Sequence, residues 1–228
     1  MHKRVTSAEV AAWGAVIAEE YLQPALTHRS WAYENEGEHA ERLEFLGDSI
    51  LGFVVASYIF NEYPNLDEGD MSKIKAAAVS ERSLAQIARG LHLGDYIKLG
   101  RGEEMSGGRD KDSILADTVE ALIGATYLTY GVEKTTEVVL RHLIAQVDAA
   151  RDMGPALDWR TAFEEKSRAR GIAGNLTYEI EGTGPDHARV YTAHVFVDGT
   201  KMGSGSATSQ KQAKLEACQA AYYALDEA

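Results

Sequence analysis

Apolar residues recur three and four positions apart through most of the first 150 residues. The stretches "AAWGAVIAEEYL", "SILGFVVASYIFNEY", "MSKIKAAAVSERSLAQIARGL", "DSILADTVEALIGATYLTYG" and "TTEVVLRHLIAQVDAA" each predict an amphipathic or buried helix. Clusters of Gly, Pro, Asp and Asn break the pattern in "YPNLDEGD", "LGRGEEMSGGRDKD" and "TYG". Beyond "RDMGPALDW" the period changes. "RTAFEEKSRARG" predicts a helix ending at Gly171, whereas "NLTYEIEG" and "ARVYTAHVFVDG" alternate and are rich in β-branched and aromatic residues, as strands are. "TKMGSGSA" predicts a short third strand running into a loop, and "SQKQAKLEACQAAYYAL" a closing helix with Ala213, Ala217, Ala220, Ala221 and Ala224 on a small-residue face. The expected architecture is an all-α domain over 1–150, a linker over 151–157 and an α+β module, α-β-β-β-α, over 158–228.

Composition adds constraints. Of 228 residues, 45% are hydrophobic and 25% charged, and the longest apolar run, "ILGFVVASYIF", is too short to span a bilayer, so no membrane partner is expected. "MHKRVTSAEV" has basic residues with no apolar segment after them, which predicts no secretory signal and a cytoplasmic protein. The single cysteine, Cys218, excludes an internal disulfide framework and a Cys-rich zinc site, and is expected in the core. Net charge is −12, which by itself argues against nucleic acid. That acidity is uneven: residues 1–157 carry net −10 and residues 158–228 only −2.

Part of the excess lies where water has little access. In "ERLEFLGDSILG", Glu41, Glu44 and Asp48 fall within roughly 60° of one another on a helix that is otherwise strongly apolar. In "ILADTVEALIGATYL", Asp117 and Glu120 share one face in a similar setting. Burying several carboxylates together is costly unless a cation compensates them. Oxygen donors without nearby His or Cys suit a hard ion that keeps waters, Mg²⁺ or Mn²⁺, rather than zinc. Such an ion suits phosphodiester hydrolysis, and no organic cofactor is expected.

"ERLEFLGDS" resembles the signature of ribonuclease III, and "DEGDMSKIKAAAVS", "SILADTVEALIGA" and "LTHRS" resemble further boxes of that family, in the same order. The resemblance implies a Mg²⁺-dependent endonuclease of double-stranded RNA, working as a homodimer with one catalytic centre per subunit. It implies that Glu44, Asp117 and Glu120 hold the metal, with Asp48 joining directly or through water, and that Asp48 and Glu120 are essential for the chemistry. Glu41 and Glu68 correspond to an outer acidic shell, and Phe45 to a dimer contact inserted into the partner subunit. The implied products carry 5′-phosphate and 3′-hydroxyl ends with two-nucleotide 3′ overhangs, and the implied role is maturation of ribosomal and other RNAs.

Residues 158–228 resemble a double-stranded-RNA-binding domain, which reads A-form RNA by shape. "GPDHARVY" matches its loop between the first two strands, with His187 entering a minor groove. Ser209 is expected to N-cap the last helix, offering backbone N–H groups and the nearby Lys211 and Lys214 to phosphates. Three positions depart from the family: Gln210 replaces a lysine, Ala207 a common glycine, and Glu164 a glutamine that meets the 2′-hydroxyl, where an acid not turned away would repel RNA. Lys73, Lys75, Arg101, Arg109 and Lys111 are candidates for further phosphate contacts.

Overall fold

Ten α-helices and three strands make up the computed structural model, which describes residues 5–185 and 188–227. The chain divides into two compact units, Met1–Asp152 and Met153–Ala228. The first holds α1 (Glu19–Ala25), α2 (Arg29–Asn35), α3 (Glu41–Glu62), α4 (Glu68–Ala78), α5 (Glu81–Gly90), α6 (Arg101–Met105), α7 (Asp112–Tyr130) and most of α8 (Val132–Met153). Its only extended pairing among the described residues is an isolated bridge between Thr27 and Lys98.

Helix α7 forms the axis of this unit. Leu115, Val119, Ala121, Leu122, Ile123 and Ala125 are almost completely buried, and α3 lies against it through Leu43, Gly47, Leu51, Val54 and Val55. Although Glu41–Glu62 is long and apolar enough to cross a membrane by length and composition, here it is a packing helix with Glu41, Arg42, Glu44 and Asp48 in its first turns. It is also less enclosed than its sequence suggests: Phe45, Phe53 and Phe60 stand 78%, 60% and 67% exposed.

Two predicted helices are interrupted, each for a local reason. "AAWGAVIAEEYL" forms a 3₁₀ turn at Ala11–Trp13 and then stops, because Gly14 takes φ +91° and turns the chain out of the helix before α1 begins. The stretch after Met71 splits into α4 and α5 because the Ser80 side chain accepts from Ser83 N at 3.3 Å and starts a new helix. Residues 151–153 complete α8, and Gly154–Leu157 form a 3₁₀ turn.

The second unit contains α9 (Trp159–Ala169), β1 (Leu176–Thr183), β2 (Val190–Val197), β3 (Thr200–Ala207) and α10 (Gln210–Glu227). Asp158 caps α9 by accepting from Thr161 N, and the chain turns at Gly171, φ +75°. The antiparallel sheet runs β1-β2-β3, with Tyr178 opposite Val195 and Val195 opposite Gly203. Asp198 and Gly199, both at positive φ, form the two-residue turn joining β2 to β3. Third in sequence, β3 is a full eight-residue strand rather than a short one.

Both helices pack on one face of the sheet around Phe163, Ala193, Val195, Ala217, Cys218 and Ala221. Complete burial of Phe163 alone is worth about 1.5–3 kcal/mol. The glycines of "GSGSA" are explained by this packing: a Cβ on Gly203 would lie 2.5 Å from the Ala217 carbonyl oxygen, and one on Gly205 2.4 Å from Ala217 N. The face of α10 that meets the sheet is Ala213, Ala217, Cys218, Ala221 and Leu225, whereas Ala220 and Ala224 point to solvent. The buried stripe is thus narrower than the alanine pattern alone predicts.

Candidate metal centre

Glu44 lies three residues before Gly47 on α3, and Asp117 and Glu120 precede Gly124 on α7 by seven and four, so each carboxylate shares a helix face with a glycine. These glycines are where the two helices touch. A Cβ on Gly47 would fall 1.8 Å from the Glu120 carbonyl oxygen, and one on Gly124 would fall 2.3 Å from that of Leu43. Backbone rests on backbone here, and the neighbouring side chains converge: one carboxylate oxygen from each of Glu44, Asp117 and Glu120 lies within 4.8 Å of the others. Reading the carboxylates alone missed Gly47 and Gly124. Their signal was present, since a glycine inside a strongly helical pattern needs a packing reason.

The electrostatics are those of a crowded, partly desolvated acid cluster. Glu120 is pushed up to about 7, first by burial and then by the charges of Asp48, Asp117 and Glu44. Burial also raises Glu44, with Asp117, Glu41 and Asp48 adding to it, and raises Asp117, with Glu81 and Glu41 adding. Arg29 is the one cation among the groups acting on Glu44 and Asp117, and it does not reverse either shift. Three oxygen donors in such a field match a hard divalent cation, and no His or Cys belongs to the cluster.

The other acidic candidates occupy different places. Asp48 is exposed one turn along α3, and its charge acts on both Glu120 and Glu44. Glu41 is exposed and paired, 3.3 Å from Arg29 Nη1 and 3.9 Å from His39 Nδ1. Glu68 opens α4, where its carboxylate accepts from Ser72 Oγ at 2.9 Å; it is not among the converging groups. Glu41, Glu44 and Asp117 line one wall of a cavity of about 1090 Å³ to which Arg29, His39 and Lys111 also contribute.

"LTHRS" secures this wall. The Thr27 carbonyl accepts from Ala40 N at 3.0 Å, tying down the start of α3. His28 caps α2, and Ser30 Oγ accepts from Gly100 N at 2.9 Å. Burial holds the His28 imidazole below its ordinary pKa.

The expected phosphate contacts in the first unit need one correction. The Arg109 guanidinium faces inward, bonded to both Glu104 carboxylate oxygens at 2.6 Å and to the carbonyls of Gly94 and Ile97. It braces the loop before α7. Lys111 pairs with Glu103 at 3.3 Å and Lys73 with Asp70 at 3.7 Å.

In the second unit Ser209 Oγ accepts from Gln212 N at 3.2 Å, the bond of an N-cap. Lys211 is exposed, whereas Lys214 is half-buried with Nζ 5.2 Å from the centre of the Tyr178 ring. Gln210 is the first residue of α10 and Ala207 the last of β3. Glu164 does not stand as a bare charge, because Arg160 Nε donates to it at 3.0 Å and Arg168 Nη2 lies 3.7 Å away. His187 lies outside the described residues.

Comparison with known proteins follows the same division. A family profile described as "Ribonuclease-III-like" matches residues 18–147, and one described as "Double-stranded RNA binding motif" matches residues 163–225. "Ribonuclease 3" of Thermobifida fusca is 47% identical over 213 residues, covering 93% of this chain and 88% of the relative. That of Leifsonia xyli subsp. xyli is 51% identical over 214 residues, covering 93% and 90%. Among solved structures, a nuclease domain of ribonuclease III from Campylobacter jejuni, described with structural flexibility in a region involved in dimer formation, matches with a TM-score of 0.58. It is 39% identical, and the match covers 62% of this chain and 98% of that domain.

Proposed function

Because this chain belongs to the ribonuclease III family, we propose that it cleaves double-stranded RNA at the crossing of α3 and α7, with Mg²⁺ as the cofactor and Mn²⁺ as a substitute. The observation that carries this reading is the convergence of Glu44, Asp117 and Glu120, two of them from a segment some 70 residues further along the chain. In this reading the three carboxylates hold the ion. When bound, the ion supplies an activated water and charge stabilisation at the scissile phosphate. Asp48, exposed beside the trio, joins them at the ion directly or through a water, and Asp48 and Glu120 are the pair the chemistry depends on. Glu41 and Glu68 form the outer acidic positions. The products carry 5′-phosphate and 3′-hydroxyl ends.

Two strands are cut by two copies of the centre, related by a two-fold axis in a homodimer. Phe45, 78% exposed one residue from Glu44, is the proposed contact with the partner subunit. The nuclease and dimerisation domain is assigned to residues 1–150, the linker to 151–157 and the RNA-binding domain to 158–228. The last holds the duplex through His187, the N-cap at Ser209, Lys211 and Lys214. Processing of ribosomal and other RNAs in the cytoplasm is the corresponding role. Incubating the full chain with a long RNA duplex in Mg²⁺ should give short duplexes with 5′-phosphates, and EDTA should stop the reaction. Duplex that stays intact in both conditions would refute the proposal.

A further inference from the structure

Two arginines of the first unit face carboxylates, and they are held very differently. The Arg109 guanidinium is fixed by hydrogen bonds to both Glu104 oxygens and to the carbonyls of Gly94 and Ile97. Arg29 meets Glu41 with Nη1 3.3 Å from Oε1, and the two side chains are 72% and 49% exposed. An ion pair so open to water is worth little and exchanges partners at low cost. The backbone that carries Arg29 is pinned instead. His28 caps α2 by accepting from Ser30 N at 3.3 Å, and His28 N donates to the Lys98 carbonyl at 3.0 Å. A fixed main chain thus presents a guanidinium whose anion can change.

That guanidinium belongs to the wall of the metal centre. Arg29 lines the cavity of about 1090 Å³ together with Glu41, Glu44 and Asp117. Its charge opposes the raised proton affinity of Glu44 and Asp117, two of the three converging carboxylates. The other basic groups of the wall have nearer partners: Lys111 pairs with Glu103 at 3.3 Å, and His39 Nδ1 lies 3.9 Å from Glu41. A positive charge that offsets these carboxylates weakens the same field that draws a divalent ion. A phosphate offers Arg29 several acceptor oxygens for its planar fork, in place of one exposed carboxylate. Once the guanidinium turns to a phosphate, the ion has the carboxylates to itself.

We propose that Arg29 is an exchangeable counter-ion of the metal centre. In the RNA-free chain it offsets Glu41 and the metal-holding carboxylates; when a duplex binds, it transfers to a phosphodiester oxygen beside the cavity. Duplex RNA then raises the affinity for the divalent ion, and by linkage the ion raises the affinity for RNA. This inference rests on reading Glu44, Asp117 and Glu120 as the metal centre.

Two titrations of the full chain test it. One is Mn²⁺ binding without RNA, followed by electron paramagnetic resonance of the free ion. The other is binding of a short RNA duplex in EDTA, followed by fluorescence anisotropy over a range of KCl. Arg29→Gln should tighten Mn²⁺ binding about fivefold. It should weaken duplex binding about threefold at physiological salt and lower the slope of log K against log salt by about 1. The opposite signs are the signature, because a residue that only supports the fold would weaken both. Arg29→Lys keeps the charge, and should return Mn²⁺ affinity to within about twofold while restoring duplex affinity only in part. Lys111→Gln removes a charge from the same wall, and should change Mn²⁺ affinity by no more than about twofold. Circular dichroism melts check that each variant is folded. Weakening of both titrations by Arg29→Gln, tighter Mn²⁺ binding with unchanged duplex binding, or an equal gain from Lys111→Gln would overturn the exchange. So would no change in either titration while Glu120→Gln still abolishes Mn²⁺ binding. If Glu120→Gln leaves Mn²⁺ binding intact, the reading of the trio as a metal centre fails, and this inference with it.

Discussion

Glu120 and Glu164 are both partly buried glutamates on helices that pack against a core, yet their surroundings treat them oppositely. Burial, and then the charges of three carboxylates, Asp48, Asp117 and Glu44, hold the Glu120 proton up to about 7. Glu164 has an arginine one turn away on either side. The first arrangement is incomplete until a cation arrives from outside, as a site for a divalent ion should be. The second is already neutralised and displays its cations outward. One unit gathers carboxylates beyond what its single acting arginine offsets, and the other sets a carboxylate between two arginines.

The sharpest way to break this contrast is Glu120→Gln. Loss of one metal-holding carboxylate should reduce cleavage by about a thousandfold or more, with duplex affinity in EDTA unchanged. Equal loss of cleavage and affinity in a gel-shift assay would mean that Glu120 is structural. Next in size is deletion of residues 158–228, which should weaken duplex binding about a hundredfold at physiological salt while metal-dependent cleavage persists at low salt. Full activity of the truncated chain at physiological salt would show that the second unit is not the grip.

Gly47→Ala probes what brings the carboxylates together. Its Cβ has no room against the Glu120 carbonyl, so α3 and α7 must separate. A destabilisation of about 1–3 kcal/mol is expected from denaturant titration, with a drop in metal-dependent cleavage larger than the loss of folded protein explains. Gly90→Ala, at the end of α5 with nothing within 4 Å of the added carbon, should be neutral or stabilising by up to about 1 kcal/mol.

Smallest is the pH effect. Glu120 binds its proton more tightly in the folded chain, at about 7, than at the ordinary glutamate value of 4.5. In metal-free protein its contribution to stability is therefore fully present below 4.5 and is lost as pH rises through about 7. Melts in EDTA should show this share of the Tm falling across that window by a few °C, on the order of the shift that 1 kcal/mol produces. Glu120→Gln should remove it.

Much of this was legible from the chain alone. Period and turn residues distinguished a helical first part from an α+β second part, because the side that each residue presents follows directly from its position in the repeat. Carboxylates on helices otherwise rich in apolar residues pointed to the candidate centre for the same reason. Other features had no local signature. The Ser80 cap and the positive φ of Gly14 divide stretches whose hydrophobic period continues unbroken. Arg109, one surface cation among several by sequence, is consumed by two backbone carbonyls and Glu104.

Sequence determined which residues share a face, and so which carboxylates on each helix could act together. Tertiary structure alone decided that Glu44 meets Asp117 and Glu120, because that depends on α3 and α7 approaching until Gly47 and Gly124 leave only backbone between them. It likewise decided that Lys214 Nζ lies 5.2 Å from the centre of the Tyr178 ring. A repeat fixes direction around one helix axis, whereas the distance between two axes is set by what both of them pack against.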